Sequence, residues 1–279
     1  MKNYALVVAC SLSLGACASL KKENGQTAGA GGTANPAPPT PARAPAAAVV
    51  PARRDVQRAQ GVEFVAAGTE PFWSLELGAA RGLRFKSVGG VDSLTAPLPP
   101  PARAQDAQVV RYRAVTAAGE LVVTIAKRPC TNAMSGEALA YTVTVLAKTT
   151  AMTTAQEFTG CGTYLGDYRL HDIWALESVD GQAVSSGQFA QDKPYLEINL
   201  STQQVLGFAG CNRFSGPVAP ESAGIGFGPL RSTRLSCPAL PFEQKFLEIL
   251  SDHSFAHRIE NRRLTLENRS HALVFKKVD

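Results

Sequence analysis

Two histidines and one serine are the side chains whose types and spacing could support metal binding or catalysis. His253 and His257 are four residues apart, the spacing that places two imidazoles on one face of a metal-binding helix. The preceding helix is predicted to end near Ser251, however, and no acidic residue lies between the two histidines. Ser215 lacks the glycine-flanked elbow of a serine nucleophile and has no obvious histidine partner. We therefore predict no catalytic residue, no metal site, no cofactor and no enzymatic activity.

The block GFAGCNRFSG, residues 207–216, is the best candidate for a binding surface. Its glycines permit tight backbone turns, and Asn212, Arg213 and Ser215 place polar groups between them. These three side chains are our candidates for contact with a ligand or partner. The structural alternative is that Asn212 caps a turn, Arg213 pairs with a nearby carboxylate and Cys211 closes the loop.

A second candidate is the segment GTEPFW, residues 68–73. Phe72 and Trp73 are adjacent on a predicted strand and point to opposite faces, so one belongs to the core and the other to the surface. Glu70 and Trp73 are therefore further candidates for binding. The structural alternative for Glu70 is that it shapes the turn before Pro71.

The elements that position these residues follow from the hydrophobic pattern. Residues 61–166 contain short segments in which apolar side chains recur at every second position, with no helix of useful length. This pattern predicts an all-β domain, a small barrel or a sandwich. Residues 167–279 contain further strands and one helix, PFEQKFLEIL, which places Phe242, Phe246 and Leu250 on one face. We therefore predict an α+β second domain, an antiparallel sheet packed on one helix.

The N-terminus carries the signature of export. Lys2 precedes a short apolar run from Ala5 to Leu14, and the run closes with the tetrapeptide LGAC, residues 14–17. This order of charge, apolar run and small residues predicts a secretory signal, and the run is shorter than the about 20 residues that span a bilayer. The tetrapeptide resembles the lipobox of bacterial lipoproteins. The resemblance implies cleavage after residue 16 and lipidation of Cys17; the alternative is an ordinary cleaved signal that contains a cysteine.

The residues after Cys17 bear on location. Ala18 and Ser19 follow, with no Asp, and by the same resemblance such lipoproteins are sent to the outer membrane. The expected partners are the membrane, through the lipid anchor, and an envelope protein. The domains are expected in the periplasm, with exposure on the cell surface as the alternative.

Residues 17–60 are rich in Ala, Pro, Gly and Thr and have no hydrophobic periodicity. Such a segment buries too little surface to offset its ordering entropy, so we predict a disordered tether. The net charge of +5 arises within the first 60 residues, because residues 61–167 carry nine basic and nine acidic side chains and residues 168–279 carry twelve of each. Neither folded region has the basic excess of a nucleic-acid binder, so we predict no nucleic-acid partner. The basic tether either contacts anionic lipids or only aids solubility.

Four cysteines remain for the exported domains: Cys130, Cys161, Cys211 and Cys237. An even number of cysteines in an exported protein predicts disulfides. Four cysteines allow three pairings, and the chain order and the division into domains favour Cys130–Cys161 and Cys211–Cys237.

The second region resembles the META/HslJ family of bacterial envelope and heat-shock proteins. The residues that carry the resemblance are Trp174 with Leu176, the Gly181 turn, the strand PYLEINL, the blocks GFAGCNRFSG and PLRSTRLSCP, and the helix with Glu243 and Phe246. The resemblance implies a small α+β domain, export, frequent lipoprotein status and links to stress or antibiotic tolerance, without an established catalytic site. Many family members carry Met and Ala before the second cysteine, where this chain has RLSC, residues 234–237.

The first region is similar to an envelope domain marked by GTEPFW and by a cysteine-bearing segment, here CTNAMSG, residues 130–136. This similarity implies almost nothing about function. We therefore expect a lipid-anchored envelope protein with a non-enzymatic binding or structural role in outer-membrane integrity or in stress and antibiotic tolerance. The alternatives are an inhibitor of a lysozyme or protease and a periplasmic chaperone or assembly factor.

Overall fold

The computed structural model describes residues 52–103, 108–189 and 192–278. Strands make up 52% of these residues and helices 11%. No helix in these ranges is long and apolar enough to cross a membrane. The predicted signal peptide, the lipidation site Cys17 and most of the predicted tether lie outside the described residues.

The first domain is all-β, as predicted, but it is a curled antiparallel sheet and not the predicted small barrel or sandwich. Its strands are β1 (Phe64–Thr69), β2 (Phe72–Gly78), β3 (Gly82–Ser87), β4 (Ser93–Ala96), β5 (Ala102–Arg103), β6 (Val109–Thr116), β7 (Gly119–Ala126), β10 (Tyr141–Thr149) and β11 (Gln156–Tyr164). A separate two-stranded hairpin consists of β8 (Cys130–Thr131) and β9 (Ala138–Leu139). The nine strands pair in the order β4-β3-β2-β1-β11-β10-β7-β6-β5, and the curl brings β4 close to β6. Alternate residues of β10 are buried, as a strand with one solvated face requires.

The second domain is a closed barrel. Its strands are β12 (Ile173–Val179), β14 (Tyr195–Asn199), β15 (Gln204–Phe208), β16 (Arg213–Glu221), β17 (Gly224–Phe227), β19 (Ser254–Glu260), β20 (Arg263–Glu267) and β21 (Ala272–Lys277). They pair in this order, and β21 pairs with β12 to complete an eight-stranded barrel. Two short strands extend it, since β13 (Gln182–Ala183) pairs with β12 and β18 (Arg231–Ser232) pairs with β16.

The prediction of an α+β second domain with a sheet packed on one helix is wrong. The sheet closes on itself, and α2 (Leu240–Leu250) is a connection before β19 whose Phe246 and Leu250 enter the barrel core. An alternating hydrophobic pattern is the same in an open sheet and in a closed barrel, so the sequence pattern did not distinguish them. Closure removes two exposed strand edges, which an open sheet must protect in another way.

Two local predictions also differ from the structure. The predicted tether extends to residue 60, but Arg53–Ala59 form helix α1, which is held by the buried side chain of Arg58. The glycines of the block at residues 207–216 predict tight turns, whereas β16 begins at Arg213 and buries alternate residues along its length. Glycine and proline concealed that strand, because both are depleted in strands. Two single turns of 3-10 helix, Tyr168–Leu170 and Ser186–Gln188, complete the described structure.

Candidate functional site

Asn212 is the centre of a buried polar network in the barrel domain. It lies directly before β16, and only 1% of its surface is exposed. Its backbone N–H donates to Oε2 of Glu243 at 2.6 Å, and its side-chain Nδ2 donates to Oε1 of Glu243 at 2.7 Å. The buried Asn212 side chain is therefore anchored to the first turn of α2.

The remaining bonds of the Asn212 amide hold a surface segment. Nδ2 also donates to the carbonyl oxygen of Leu235 at 3.0 Å. Oδ1 accepts hydrogen bonds from the Thr233 hydroxyl at 2.8 Å and from the Leu235 backbone N–H at 2.7 Å. A primary amide has two donors and two acceptor positions, so the side chain of Asn212 uses its full capacity within this network.

Glu243 is the partner that the sequence analysis did not connect to Asn212. It is 3% exposed, and its carboxyl group also accepts a hydrogen bond from the Cys211 backbone N–H at 3.2 Å. Three N–H donors thus offset the loss of hydration that burial of a carboxyl group entails. The sequence contains a signal for this role, because Glu243 precedes Phe246 by three residues and Leu250 by seven and so lies on the apolar face of α2.

Both predicted disulfides are present. Cys211, the residue directly before Asn212, is joined to Cys237, which lies two residues after Leu235. In the first domain, Cys130 is joined to Cys161. The Cys211–Cys237 bond therefore closes the same region that the Asn212 amide holds by hydrogen bonds.

The surface segment held by this network is residues 231–237, which we call the pinned loop. Residues 231–236 are all exposed, and Leu235 retains 66% of its accessible surface. The loop begins as β18, which pairs with β16, and continues with a hydrogen bond from Thr233 N–H to the Arg213 carbonyl oxygen at 3.0 Å. An exposed segment is thus fixed by a strand pairing, a buried amide and a disulfide.

The structure places the other candidates of this block beside the pinned loop. Arg213 is exposed at the start of β16, and no carboxylate in the described ranges forms an ion pair with it. Ser215 is half-buried within β16, opposite Leu206 on one side and Arg231 on the other. The block therefore contributes to the pinned loop in two ways. The Asn212 side chain holds the loop by hydrogen bonds, and β16 pairs with β18, the strand with which the loop begins.

The GTEPFW candidates lie in the curled sheet and do not join this network. Trp73 is buried, and its indole N–H donates to the carbonyl oxygen of Thr159 at 3.2 Å. A side chain at Gly68 would collide with the Trp73 ring, which explains the glycine at that position. Phe72 is exposed, as predicted for one of the two aromatic residues, and Glu70 is exposed at the turn between β1 and β2.

The two histidines do not form a metal site. His257 lies on β19 and His253 directly precedes that strand, so the helical spacing does not apply. No group of three or more His, Cys, Asp or Glu side chains in the described ranges is placed to hold a metal ion. Nε2 of His257 instead lies 3.5 Å from Oδ2 of Asp167. Burial raises the pKa of Asp167, but hydrogen bonds from His257 and Arg169 outweigh burial and hold this pKa well below its usual range.

A second polar cluster joins the two domains. Arg58 of α1 is 7% exposed, and it donates to the carbonyl oxygen of Leu165, after β11, at 2.7 Å and to that of Leu200, in the barrel, at 3.2 Å. Arg58 also pairs with Asp55 at 2.6 Å, and the Asp55 carboxylate accepts a hydrogen bond from the Ser201 hydroxyl at 2.8 Å. The end of the predicted tether is thereby fixed to both domains.

A cavity of about 320 Å³ lies between the curled sheet and the turn from β16 to β17. Lys127 on its rim pairs with Glu221 at 3.0 Å, and Arg103 donates to the hydroxyl and carbonyl oxygens of Ser222 at 2.9 and 3.0 Å. Its charged side chains thus connect the first domain to the barrel. We assign the cavity to the junction of the domains for this reason.

Tyr164 lies between this cavity and a second one of about 230 Å³. Its hydroxyl group is buried and has no hydrogen-bond partner among the described residues, although Tyr112 and Ser222 are close. Burial raises the pKa of Tyr164 well above its ordinary value, and it raises that of the neighbouring Tyr141 to about 12.

Comparison with known proteins gives two structural matches to parts of the chain and one family-model match to the barrel domain. Two solved structures are similar to parts of the chain: an NMR structure of a protein, 24% identical, and an NMR structure of a protein from Burkholderia xenovorans, 26% identical. Each covers 39% of this chain, and the matches span 90% and 85% of those proteins, with TM-scores of 0.33 and 0.34. A search of curated proteins gives no match. The family model described as the META domain matches residues 169–279, the part of the chain that holds the barrel and the pinned loop.

Proposed function

We propose that this protein is a lipid-anchored protein of the outer membrane that acts by binding, and that the pinned loop is its binding surface. The observation that carries the proposal is the buried network of Asn212 and Glu243, which fixes a segment in which residues 231–236 are all exposed. In this proposal the domains lie in the periplasm and serve outer-membrane integrity or stress and antibiotic tolerance.

The fixed loop supports a binding role on physical grounds. A partner that binds a mobile segment loses part of the interaction energy to ordering of that segment, whereas a loop held in one conformation avoids most of this loss. The loop presents Leu235, an apolar side chain that is 66% exposed, and two flanking arginines, Arg231 and Arg234. Exposed apolar and Arg side chains on a rigid support are typical of interaction surfaces.

The contacts of helix α1 with both domains support the proposal that the lipid anchor holds the two domains at the membrane together. The LGAC tetrapeptide supplies the proposed attachment at Cys17, and helix α1 lies at the other end of the tether. Because Arg58 binds carbonyl oxygens of both domains, a force on the tether would act on the curled sheet and the barrel together.

Photocrosslinking in intact cells tests the binding surface. A photoreactive amino acid at position 235 is compared with one at position 115, because Leu235 and Val115 are both 66% exposed and lie in different domains. We expect a discrete crosslinked product from position 235 and none from position 115. Equal products from both positions, or none from position 235, would contradict the proposal.

The anchor has a separate test. Substitution Cys17→Ala removes the proposed lipidation site without a change in the described domains. We expect the variant to leave the membrane fraction and to retain both disulfides. Retention of the variant in the membrane fraction would exclude the lipid anchor.

A further inference from the structure

We infer that the pinned loop is a protease-binding loop, and that Arg234 is the residue that enters the specificity pocket of a trypsin-like serine protease. The inference rests on the proposed binding role of the loop and names the class of partner. It starts from the position of Arg234 between two residues, Thr233 and Leu235, that are both bound to the buried Asn212 amide.

Arg234 is free to contact another protein. Its side chain is exposed, and neither its guanidinium group nor its backbone forms a hydrogen bond or ion pair with any described residue. The same is true of Ser236. Thr233 and Leu235, by contrast, direct their N–H groups inward, to the Arg213 carbonyl oxygen and to Oδ1 of Asn212.

This alternation leaves one backbone edge of the loop open. The N–H groups of Thr233 and Leu235 are bonded to the barrel, whereas the backbone groups of Arg234 and Ser236 have no partner among the described residues, so the backbone of these two residues is free to bond to a second chain. An open edge of this kind binds a second chain as an added strand. The backbone groups at the reactive residue would then be available for the backbone donors of a protease active site.

Charge selects the class of protease. The specificity pocket of trypsin ends in a carboxylate, while that of chymotrypsin is a hydrophobic slot. Arg234 matches the first pocket and not the second, because a buried guanidinium group requires a carboxylate partner.

The rigidity of the pinned loop decides whether a protease is inhibited by it or cleaves it as a substrate. After binding, Asn212 holds the backbone of Leu235 on the far side of the Arg234–Leu235 bond, and the Cys211–Cys237 disulfide holds the segment that follows. A loop fixed in this way does not need to be ordered by the protease, and it does not move away readily from the active site.

Inhibition of trypsin by the purified full chain in detergent tests the inference. The variants are Arg234→Ala and, as the matched control, Arg269→Ala, which removes the same charge from an exposed position of the barrel domain outside the pinned loop. We expect the unsubstituted chain to inhibit trypsin and not chymotrypsin. We expect Arg234→Ala to weaken inhibition by about 100-fold and Arg269→Ala to change it by less than about threefold.

A second variant tests the support of the loop. Thr233→Val preserves the shape of the side chain but removes its hydrogen bond to Asn212. We expect a roughly 5-fold weaker inhibition and faster cleavage of the Arg234–Leu235 bond, detected by mass spectrometry.

Three results would overturn the inference: no inhibition of trypsin, equal effects of Arg234→Ala and Arg269→Ala, or cleavage after Arg234 as fast as in the reduced, unfolded chain. The crosslinking experiment separates this failure from failure of the proposed function. Crosslinks from position 235 without inhibition would retain the loop as a binding surface and exclude a trypsin-like partner. Absence of both would reject both proposals.

Discussion

Asn212 and Glu243 are 31 residues apart in the chain and meet through hydrogen bonds from two nitrogens of one residue to the two carboxyl oxygens of the other, at 2.6 and 2.7 Å. The contact joins the residue before β16 to the first turn of α2. Because the Asn212 amide also holds Thr233 and Leu235, the same contact fixes the pinned loop. Stability of the barrel and rigidity of the proposed binding surface are thus properties of one network.

Substitution Glu243→Ala tests this network. It leaves the backbone N–H groups of Cys211 and Asn212 and one Asn212 side-chain donor without their acceptor. We expect the free energy of unfolding to fall by about 3 kcal/mol, measured by denaturant titration. Glu248→Ala is the matched control, because Glu248 is exposed on the same helix, and we expect it to change stability by less than about 0.5 kcal/mol. Equal losses in both variants would show that the contact of Glu243 with Asn212 is not the source of the loss.

Substitution Arg58→Ala tests the junction of the domains. It removes the hydrogen bonds to the carbonyl oxygens of Leu165 and Leu200 and the ion pair with Asp55. We expect a loss of about 2 kcal/mol and faster hydrogen exchange in α1. Arg53→Ala, an exposed position of the same helix, serves as the control. Unchanged exchange in α1 after Arg58→Ala would mean that other contacts hold the helix.

Much of the local structure followed from the sequence. Alternation of apolar residues predicted most strands of both domains, with β16 as an exception, and the helical pattern predicted a helix at 241–250 where the structure has Leu240–Leu250. The turn expected at Gly181 from the family resemblance lies between two strands that the structure pairs, β12 and β13. Both disulfide pairings were also predicted from chain order. These features depend on residues that are near in sequence or on rules of chain connectivity.

The features that sequence analysis missed depend on distant residues. Barrel closure requires β12 to pair with β21, almost a whole domain later, and no periodicity encodes that pairing. Arg58 lies in a segment of low hydrophobicity, so its burial became visible only when Leu165 and Leu200 were placed beside it. Asn212 was identified as a candidate, but its role depends on Glu243, which sequence analysis treated only as part of a family pattern.

The ion pair at Asp167 predicts a dependence of stability on pH. The pKa of this carboxyl group is lowered in the folded protein, because the hydrogen bonds from His257 and Arg169 outweigh burial. Its contribution is therefore fully present above the pKa of the unfolded chain, about 3.9, and is lost as the pH falls through the folded value. We expect Asp167→Asn to be less stable than the unsubstituted protein at pH 7 by about 2 kcal/mol. The difference should narrow progressively below about pH 4. A difference that stays constant between pH 7 and pH 2 would exclude the carboxylate as its source.

Substitution Tyr164→Phe tests whether the buried Tyr164 hydroxyl at the junction of the domains contributes to the stability of the isolated protein. The hydroxyl has no hydrogen-bond partner among the described residues, and an unpaired buried polar group lowers stability by about 1–3 kcal/mol. The ring contacts with Phe64 and Tyr141, at centroid distances of 4.6 and 5.0 Å, are retained in the variant. We therefore expect the free energy of unfolding to stay the same or to rise by about 1 kcal/mol, measured by denaturant titration. Tyr141→Phe in the same cluster is the comparison. A loss of stability specific to Tyr164→Phe would show that this hydroxyl binds a group in the junction, such as a bound water. The junction cavity, and not the pinned loop, would then be the stronger candidate for a binding site.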